Sequence, residues 1–376
     1  MIRLSKRTDG MQPVYVWMIR IGSIFVALLI GALVLLLLGY PPLKSYETII
    51  DGAVGNSNFL RATIKTASPL LGCALAIAPC FKMRFWNIGA EGQITAGAIG
   101  ATFVALNFAE KEVIKEVLNP NGTVELVKEM VPNMAPLPLL LLMAFAAILC
   151  GGLWGLIPGI FKALWNTNET LFTLMMNYII IGVVKWLQGG PWEGSIPGSQ
   201  KIDQFADNAK LPLVGGIHCG WIIVLVLVVL IFLYMNYSKH GFEIAVIGDS
   251  ANTARYAGIN VGYVMMRTMF LSGAISGLVG FIFVSGANHT LYDGVAAGVG
   301  FTAITVAWLA QLNPFGMIII ASLLAILSKG SRTLKTRIGV PSTIAEILTG
   351  LILLCMLGCE FFINYKVSLH RRKEEK

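Results

Sequence analysis

Charge is what this chain has least of. Only 13% of its 376 residues are Asp, Glu, Lys or Arg, against 56% hydrophobic residues and a mean hydropathy of +0.74. A soluble protein of this length has no core large enough to hide so much apolar side chain, which excludes that class. Histidine is nearly as scarce, with four residues, none paired at a catalytic spacing within an apolar run. A membrane-embedded enzyme, which wants paired His, Asp or Ser nucleophile motifs near one membrane face, is therefore the weakest alternative. The six cysteines, Cys73, Cys80, Cys150, Cys219, Cys355 and Cys359, contain no C-x-x-C pair. A disulfide framework or a metal site is therefore not expected, and they read as small buried hydrophobes. No G-x-x-x-x-G-K-[ST] stretch exists, so no phosphate-binding loop does either. The net charge of +8 comes from cations scattered near the ends of apolar runs, without a basic stripe or a nucleic-acid motif.

What the chain does have is long uncharged runs. Ile21–Gly39 is 19 residues without a charge, and Gly220–Asn236 is another such run. About 20 helical residues at 1.5 Å each cross a hydrocarbon core of ~30 Å. The first run follows Arg3, Lys6, Arg7 and Arg20, but it is too long for a secretory signal and no small-residue cleavage site follows it. It reads as an uncleaved first helix stopped at Pro41. The pattern predicts an all-α integral membrane protein of about ten transmembrane helices, some short or broken. They lie near 17–39, 63–81, 88–108, 137–160, 170–188, 217–236, 263–285, 298–312, 314–328 and 343–363. The whole of 1–376 reads as one transmembrane domain in the cell membrane, multi-pass, with both termini cytoplasmic and Arg371, Arg372 and Lys373 suiting that side. Lys329, Arg332, Lys335 and Arg337 then fall in an outer loop, against the positive-inside rule.

Three polar segments interrupt the apolar pattern. Residues 109–136 carry Glu110, Lys111, Glu112, Lys115 and Glu116 before Asn119-Pro120-Asn121-Gly122, and read as an exposed helix–turn–helix insert on the outer face. Residues 189–216, rich in Gly and Pro, form a second outer loop. Residues 237–262 form the longest cytoplasmic loop. There Asp249 or Ser250 caps a short helix through Ala251–Ala257, which Gly258 ends. A polar exposed face on a rigid helix tied to two spans is the form needed to take force from a soluble partner.

At the start of the third apolar run stand Asn87, Glu91 and Gln93. An ionisable residue within a span costs roughly 2.5–3.5 kcal/mol on insertion scales, so it faces a polar cavity or a partner. Asn87, Glu91 and Thr95 share one helix face. Two readings stand: this stripe lines a passage, or Glu91 ties down a neighbouring backbone, Lys82 or Arg84. Thr173, Asn177, Thr302 and Thr305, with Phe172 and Trp308, add amides, hydroxyls and aromatic walls to such a passage.

Phe85–Ala101, Ala254-Arg-Tyr-Ala-Gly-Ile-Asn-Val261, and Gly300-Phe-Thr-Ala-Ile-Thr-Val306 with Leu312-Asn-Pro-Phe-Gly316 resemble an ABC importer permease of the branched-chain amino acid and ribose permease group. The Asn87-to-Gln93 wording and Gly339-Val-Pro-Ser342 resemble its nucleoside-uptake branch. The resemblance runs from about Ala62 to Leu357. It implies the ABC importer permease fold and a passage lined by Asn87, Glu91 and Gln93. It implies that Arg255, Tyr256, Ala257 and Gly258 belong to the ATPase-coupling segment. It also implies a paralogous second permease subunit, an ATP-binding subunit on which ATP is bound and hydrolysed, and an extracytoplasmic substrate-binding lipoprotein. No catalytic residue, metal or cofactor is expected in this chain, and its other contacts are with membrane lipid, not nucleic acid. Import of ribose-type sugars or branched-chain amino acids is the alternative within this class. An ion-coupled secondary transporter using Glu91 and Glu346 is the alternative outside it; it leaves 237–262 without a purpose.

Overall fold

The computed structural model describes residues 2–6, 13–118, 124–196, 198–341, 343–344, 347–348, 350–351, 354–355, 358–359, 363 and 365–369. In chain order its elements are β1 (Ile2–Lys6), α1 (Pro13–Leu37), α2 (Pro42–Val54), α3 (Ser57–Lys82), α4 (Ala90–Phe108), β2 (Glu110–Leu118), β3 (Val124–Pro132), α5 (Pro136–Trp165) and α6 (Glu169–Gln188). A 3-10 turn (Asp207–Ala209) and two short strands, β4 (Leu213–Val214) and β5 (Ile217–His218), follow. Then come α7 (Gly220–Tyr237), α8 (Lys239–Asp249), α9 (Ala251–Tyr256), α10 (Val261–Phe281), a π-helical turn (Ile282–Asn288), α11 (Val299–Leu309), α12 (Pro314–Ile338) and β6 (Tyr365–Leu369).

Among the described residues six helices are long and apolar enough to cross a membrane: α3, α5, α6, α7, α10 with its π-helical turn, and α12. The bent pair α1–α2, with an angle of 116°, raises that to seven if it makes one span. The expectation of about ten is not met on this measure. α4 is long enough, but Glu91 and Gln93 dilute its hydropathy, and α11 has only 11 residues. The tenth expected segment, 343–363, lies partly outside the described residues, as do Glu346, Arg371–Lys373 and Asn119–Gly122.

Other expectations are corrected. The insert 109–136 is not a helix–turn–helix but a β-hairpin, with β2 paired antiparallel to β3 from Glu110↔Pro132 to Leu118↔Val124. Its Val-rich arms suit strands, and the alternating pairs of charged and apolar residues carry no 3.6-residue period. The segment 314–328 continues as helix to Ile338, so most of the expected outer loop 329–342 is the last part of α12. Its four cations fall at helical spacing, which a charge-based reading mistakes for a loop. α2, an amphipathic helix after Pro41, was not expected at all. The chain divides into two compact units, 1–63 with 322–376 and 64–321.

In the first unit, β1 pairs with β6 and the Tyr46 hydroxyl donates to the Leu28 carbonyl at 2.7 Å. Leu35, Ile49, Leu334, Val340, Ile344 and Leu348 form its buried cluster, and Asp51 pairs with Arg337.

The second unit is built around α4, α5 and α10. Their seam is lined by small residues: a side chain at Gly277 would collide with the Ala147 carbonyl, and one at Gly97 would collide with Gly277 itself. Close backbone approach through small residues is how helices associate where lipid removes the hydrophobic drive. Away from the seam, α5 and α7 present Leu141, Phe145, Leu153, Val226 and Leu230 outward, as a lipid-facing surface does.

The connections of this unit sort to two opposite ends. At one end Asn208 donates to the carbonyls of Ala109 and Met134, Phe205 N–H to His289, and the Thr290 hydroxyl to Ile202. At the other, the Lys82 ammonium donates to the Met235 carbonyl, Trp86 stacks on Trp308, and Phe232 meets Phe315. Successive connections alternate between these ends, so each element from α3 to α11 runs opposite to the one before it, α8 and α9 forming one connection.

At the first end His218 is buried, and neither ring nitrogen has a hydrogen-bond partner. Burial, with the charges of Lys65 and His289 adding to it, pushes its pKa down to about 4. The unfolded chain therefore takes up this proton first, near pH 6.5. The stability that neutral His218 contributes is complete above that pH and is lost as pH falls toward about 4. Melting of the purified protein should thus drop between pH 7 and pH 4.5, and His218→Leu should flatten that dependence. An equal drop in the variant would assign the sensitivity elsewhere.

Candidate functional site

The polar motif of the third run is brought together in full. α3 ends as Arg84 takes φ 58° and Phe85 N–H donates back to the Cys80 carbonyl at 2.9 Å. The linker 83–89 that follows is not helical, so its backbone groups need partners from elsewhere. Side chains supply them. Asn87 Oδ1 accepts from Gly89 N–H at 2.9 Å, and its amide donates to Ser272 Oγ of α10 at 3.1 Å. Gln93 pairs with Asn87 through both amide groups at 3.3 Å. From α6, Thr173 Oγ1 accepts from Ile88 N–H at 3.2 Å; Asn177 accepts from Gly92 N–H at 2.9 Å and donates to the Ile88 carbonyl at 3.0 Å. Thr173 and Asn177 stand four residues apart on one face of α6, and this spacing lets them act together. All of these side chains are buried.

Glu91 stands in the first turn of α4, where the helix dipole favours a carboxylate. Its two oxygens accept from Gly298 N–H at 2.8 Å and Gly300 N–H at 2.7 Å, closing the N-terminus of α11. Of the two sequence readings of Glu91, the observed contacts are those of the second, a tie to backbone, and the backbone is 207 residues away. The expected partners Lys82 and Arg84 are not the ones found. Thr95 donates to the Glu91 carbonyl at 2.9 Å and Thr302 to that of Gly298 at 3.1 Å. Thr305 is half-buried on α11.

Between α10 and α11 the chain leaves the helix: after the π-helical turn, His289 and Ala297 take φ 57° and 49°, and helix resumes at Val299. Non-helical backbone within a membrane protein's bundle is tolerated where protein or a polar cavity satisfies it. Here Glu91 closes one end of the irregular stretch. At its other end lies a cleft of about 690 Å³ lined by Lys185, Gln188, Lys201, Thr290, Tyr292 and Asp293. That volume suits a small polar ligand. At the far end of α11, Trp308 stacks on Trp86 with ring centres 5.5 Å apart and planes 22° apart, both about half exposed, and Phe81 lies against both. Sequence reasoning named Trp308 and missed Trp86, Ser272 and the cleft. Trp86 adjoins the motif and was legible; the cleft residues are not, because three separate segments compose it.

The segment 237–262 folds as two helices, α8 and α9. Ser250 is the cap: its hydroxyl accepts from Thr253 N–H at 3.2 Å. Gly258 ends α9 with φ +78°, a left-handed conformation that favours glycine, and Ile259 N–H closes on the Ala254 carbonyl at 2.9 Å. Ala254 is fully buried, whereas Arg255, Tyr256, Ala257 and Gly258 are exposed, Tyr256 at 94%. Beside them a pocket of about 410 Å³ is lined by Lys162, Asn166, Arg255 and Asn260. Inward, Ile244, Ile247 and Ala254 pack with Cys80, Met83, Phe85, Val264 and Met269. Among the described residues no group of three His, Cys, Asp or Glu side chains is placed to hold a metal.

Residues 59–357 match the family model of the branched-chain amino acid transport system permease component. The chain is 31% identical to a guanosine ABC transporter permease protein of Bacillus subtilis, over 93% of this chain and 95% of that one. It is 27% identical to a glucose ABC transporter permease protein of Haloferax volcanii (92% and 88% covered) and to a nucleoside ABC transporter permease protein of Lactococcus lactis (92% and 89% covered). No solved structure matches it. With its apolar helices and a family match over most of its length, the chain is a multi-pass membrane protein belonging to the branched-chain amino acid transport system permease component family.

Proposed function

We propose that this chain is the permease subunit of an ATP-driven, binding-protein-dependent importer of nucleosides in the cell membrane. The observation that carries the reading is the exposed, capped helix α9, packed on the same end of the second unit as the Trp86–Asn87 linker. It presents Arg255–Gly258 to a soluble partner, as an ATPase-driven permease requires. ATP is then bound and hydrolysed on a separate subunit, and the end bearing α9 is cytoplasmic. The opposite end, with the 690 Å³ cleft and the β2–β3 hairpin, faces a substrate-binding lipoprotein. A second, paralogous permease chain completes the passage.

About ten crossings fit this reading. α4, the interrupted stretch from His289 to Leu309 and the 343–363 segment supplement the long apolar helices, and both termini then lie in the cytoplasm. Buried Asn87, Glu91, Gln93, Thr173 and Asn177 shape the wall of the passage by fixing the linker and α11. Thr302, Thr305 and the Trp86–Trp308 stack on α11 and the linker are its substrate-facing groups. An aromatic face with hydroxyls nearby suits a base joined to a ribose.

The likeness to a glucose permease favours a second reading, a sugar importer. Uptake of labelled guanosine by cells expressing the chain with its neighbouring transport genes separates the two. Competition by uridine and adenosine, and none by glucose or ribose, supports nucleosides. Uptake of glucose without uptake of guanosine overturns that reading.

A further inference from the structure

α8 is held at three places. Its start packs on the end of α7, where a side chain at Gly241 would collide with the Tyr234 carbonyl. Its middle is tied to α10 by Glu243 and Arg267, whose charged atoms lie 3.0 Å apart. Its end meets the α3–α4 junction. Gly248 is buried there, and even a methyl group on it would collide with the Lys82 carbonyl oxygen. The first two holds are on full spans, and α10 is locked into the glycine seam with α4 and α5. The third is on a non-helical linker, whose polar groups are held by side chains of α6 and α10 rather than by a helix ladder. Such a segment shifts by exchanging a few hydrogen bonds, whereas a span shifts only by sliding close-packed backbones. The linker also leads straight into Glu91, and through it to the start of α11.

Resting on the reading that an ATPase docks on α9, we propose that Gly248 is a positioning residue for transport. Motion of the α8–α9 block passes through its contact with the Lys82 carbonyl to the linker 83–89, and so to Trp86, Asn87 and α11. The contact is backbone against backbone, with no flexible side chain between to absorb a displacement.

The test uses the complete transporter in lipid nanodiscs, with the native cysteines replaced and Trp86→Cys as a reporter, since Trp86 is 46% exposed. Maleimide labelling at position 86 is timed with and without a non-hydrolysable ATP analogue. The analogue should change the labelling rate by about fivefold or more, the range of ordinary coupling between sites. Gly248→Ala should remove that change and reduce ATP-driven uptake by a similar factor, while assembly and basal ATP hydrolysis stay within about twofold. Alanine favours a helix more than glycine does, so the loss cannot be laid to α8 unwinding. Unchanged labelling in the parent transporter overturns the proposal, and this holds even if Gly248→Ala fails to assemble. Full uptake by Gly248→Ala overturns it as well. A transporter with Trp86 and Gly248 both intact that imports nothing with ATP refutes the permease reading instead.

Discussion

Glu91→Leu should abolish uptake and lower the melting temperature of the purified chain. The leucine leaves the buried N–H of Gly300 without an acceptor, at about 1–3 kcal/mol, and the half-buried N–H of Gly298 without its partner as well. The start of α11 then loses its attachment to α4, and with it the setting of Thr302, Thr305 and Trp308. Glu91→Gln keeps one acceptor and turns an NH2 group toward the other N–H, so its loss should be smaller in both measurements. Thermal melting and uptake together read the effect. If Glu91→Leu melts as the parent does but fails to transport, Glu91 acts on the substrate and not on the backbone. If it does neither harm, the clamp has no importance.

Gly277→Leu should give a chain that does not reach the membrane in folded form. At Gly277 the backbone of α10 lies against the Ala147 carbonyl of α5 and near Gly151 and Gly97. Overpacking a core typically costs about 1–3 kcal/mol when side chains can shift. Here the obstacles are main-chain atoms of α5, so the two helices themselves must part and the cost exceeds that range. Gly277→Ala should be intermediate, and Gly182→Leu, where nothing lies within 4 Å of the added carbon, should be tolerated. Yield of monodisperse protein after detergent extraction distinguishes them. Equal yields from the two leucine variants would mean that the seam does not hold the unit together.

The parts of this structure legible in the sequence are those governed by local rules. α5, α6 and α7 announce themselves as long runs without charge. α9 is written in Ser250, at its cap, and Gly258, at its end. The short α11 follows from an interrupted apolar run. What was misread needed information from outside the window. The hairpin 110–132 carries its charges in pairs, so only the partner strand decides between helix and strand. The cations of α12 sit at helical spacing but break the apolar run, and the helix continues because Leu334 packs with Ile49 and Leu35. In the site, Asn87, Glu91 and Gln93 stand out as polar residues in an apolar setting, and Asn177 and Thr173 as their matches on another run. Which backbone groups they would hold was not readable. Gly298 and Gly300 become partners of Glu91 only once α11 is laid against α4, a contact that no spacing rule encodes.

The central claim is that this permease offers a path for nucleosides and takes its energy from a bound ATPase. Its most direct test is uptake of labelled guanosine into proteoliposomes holding this chain, its second permease subunit and the ATPase, with the binding protein outside and ATP inside. The account predicts uptake that needs ATP, the ATPase and the binding protein together, and that does not respond to a proton or sodium gradient. Uptake by this chain alone, driven by an ion gradient without ATP, would contradict it.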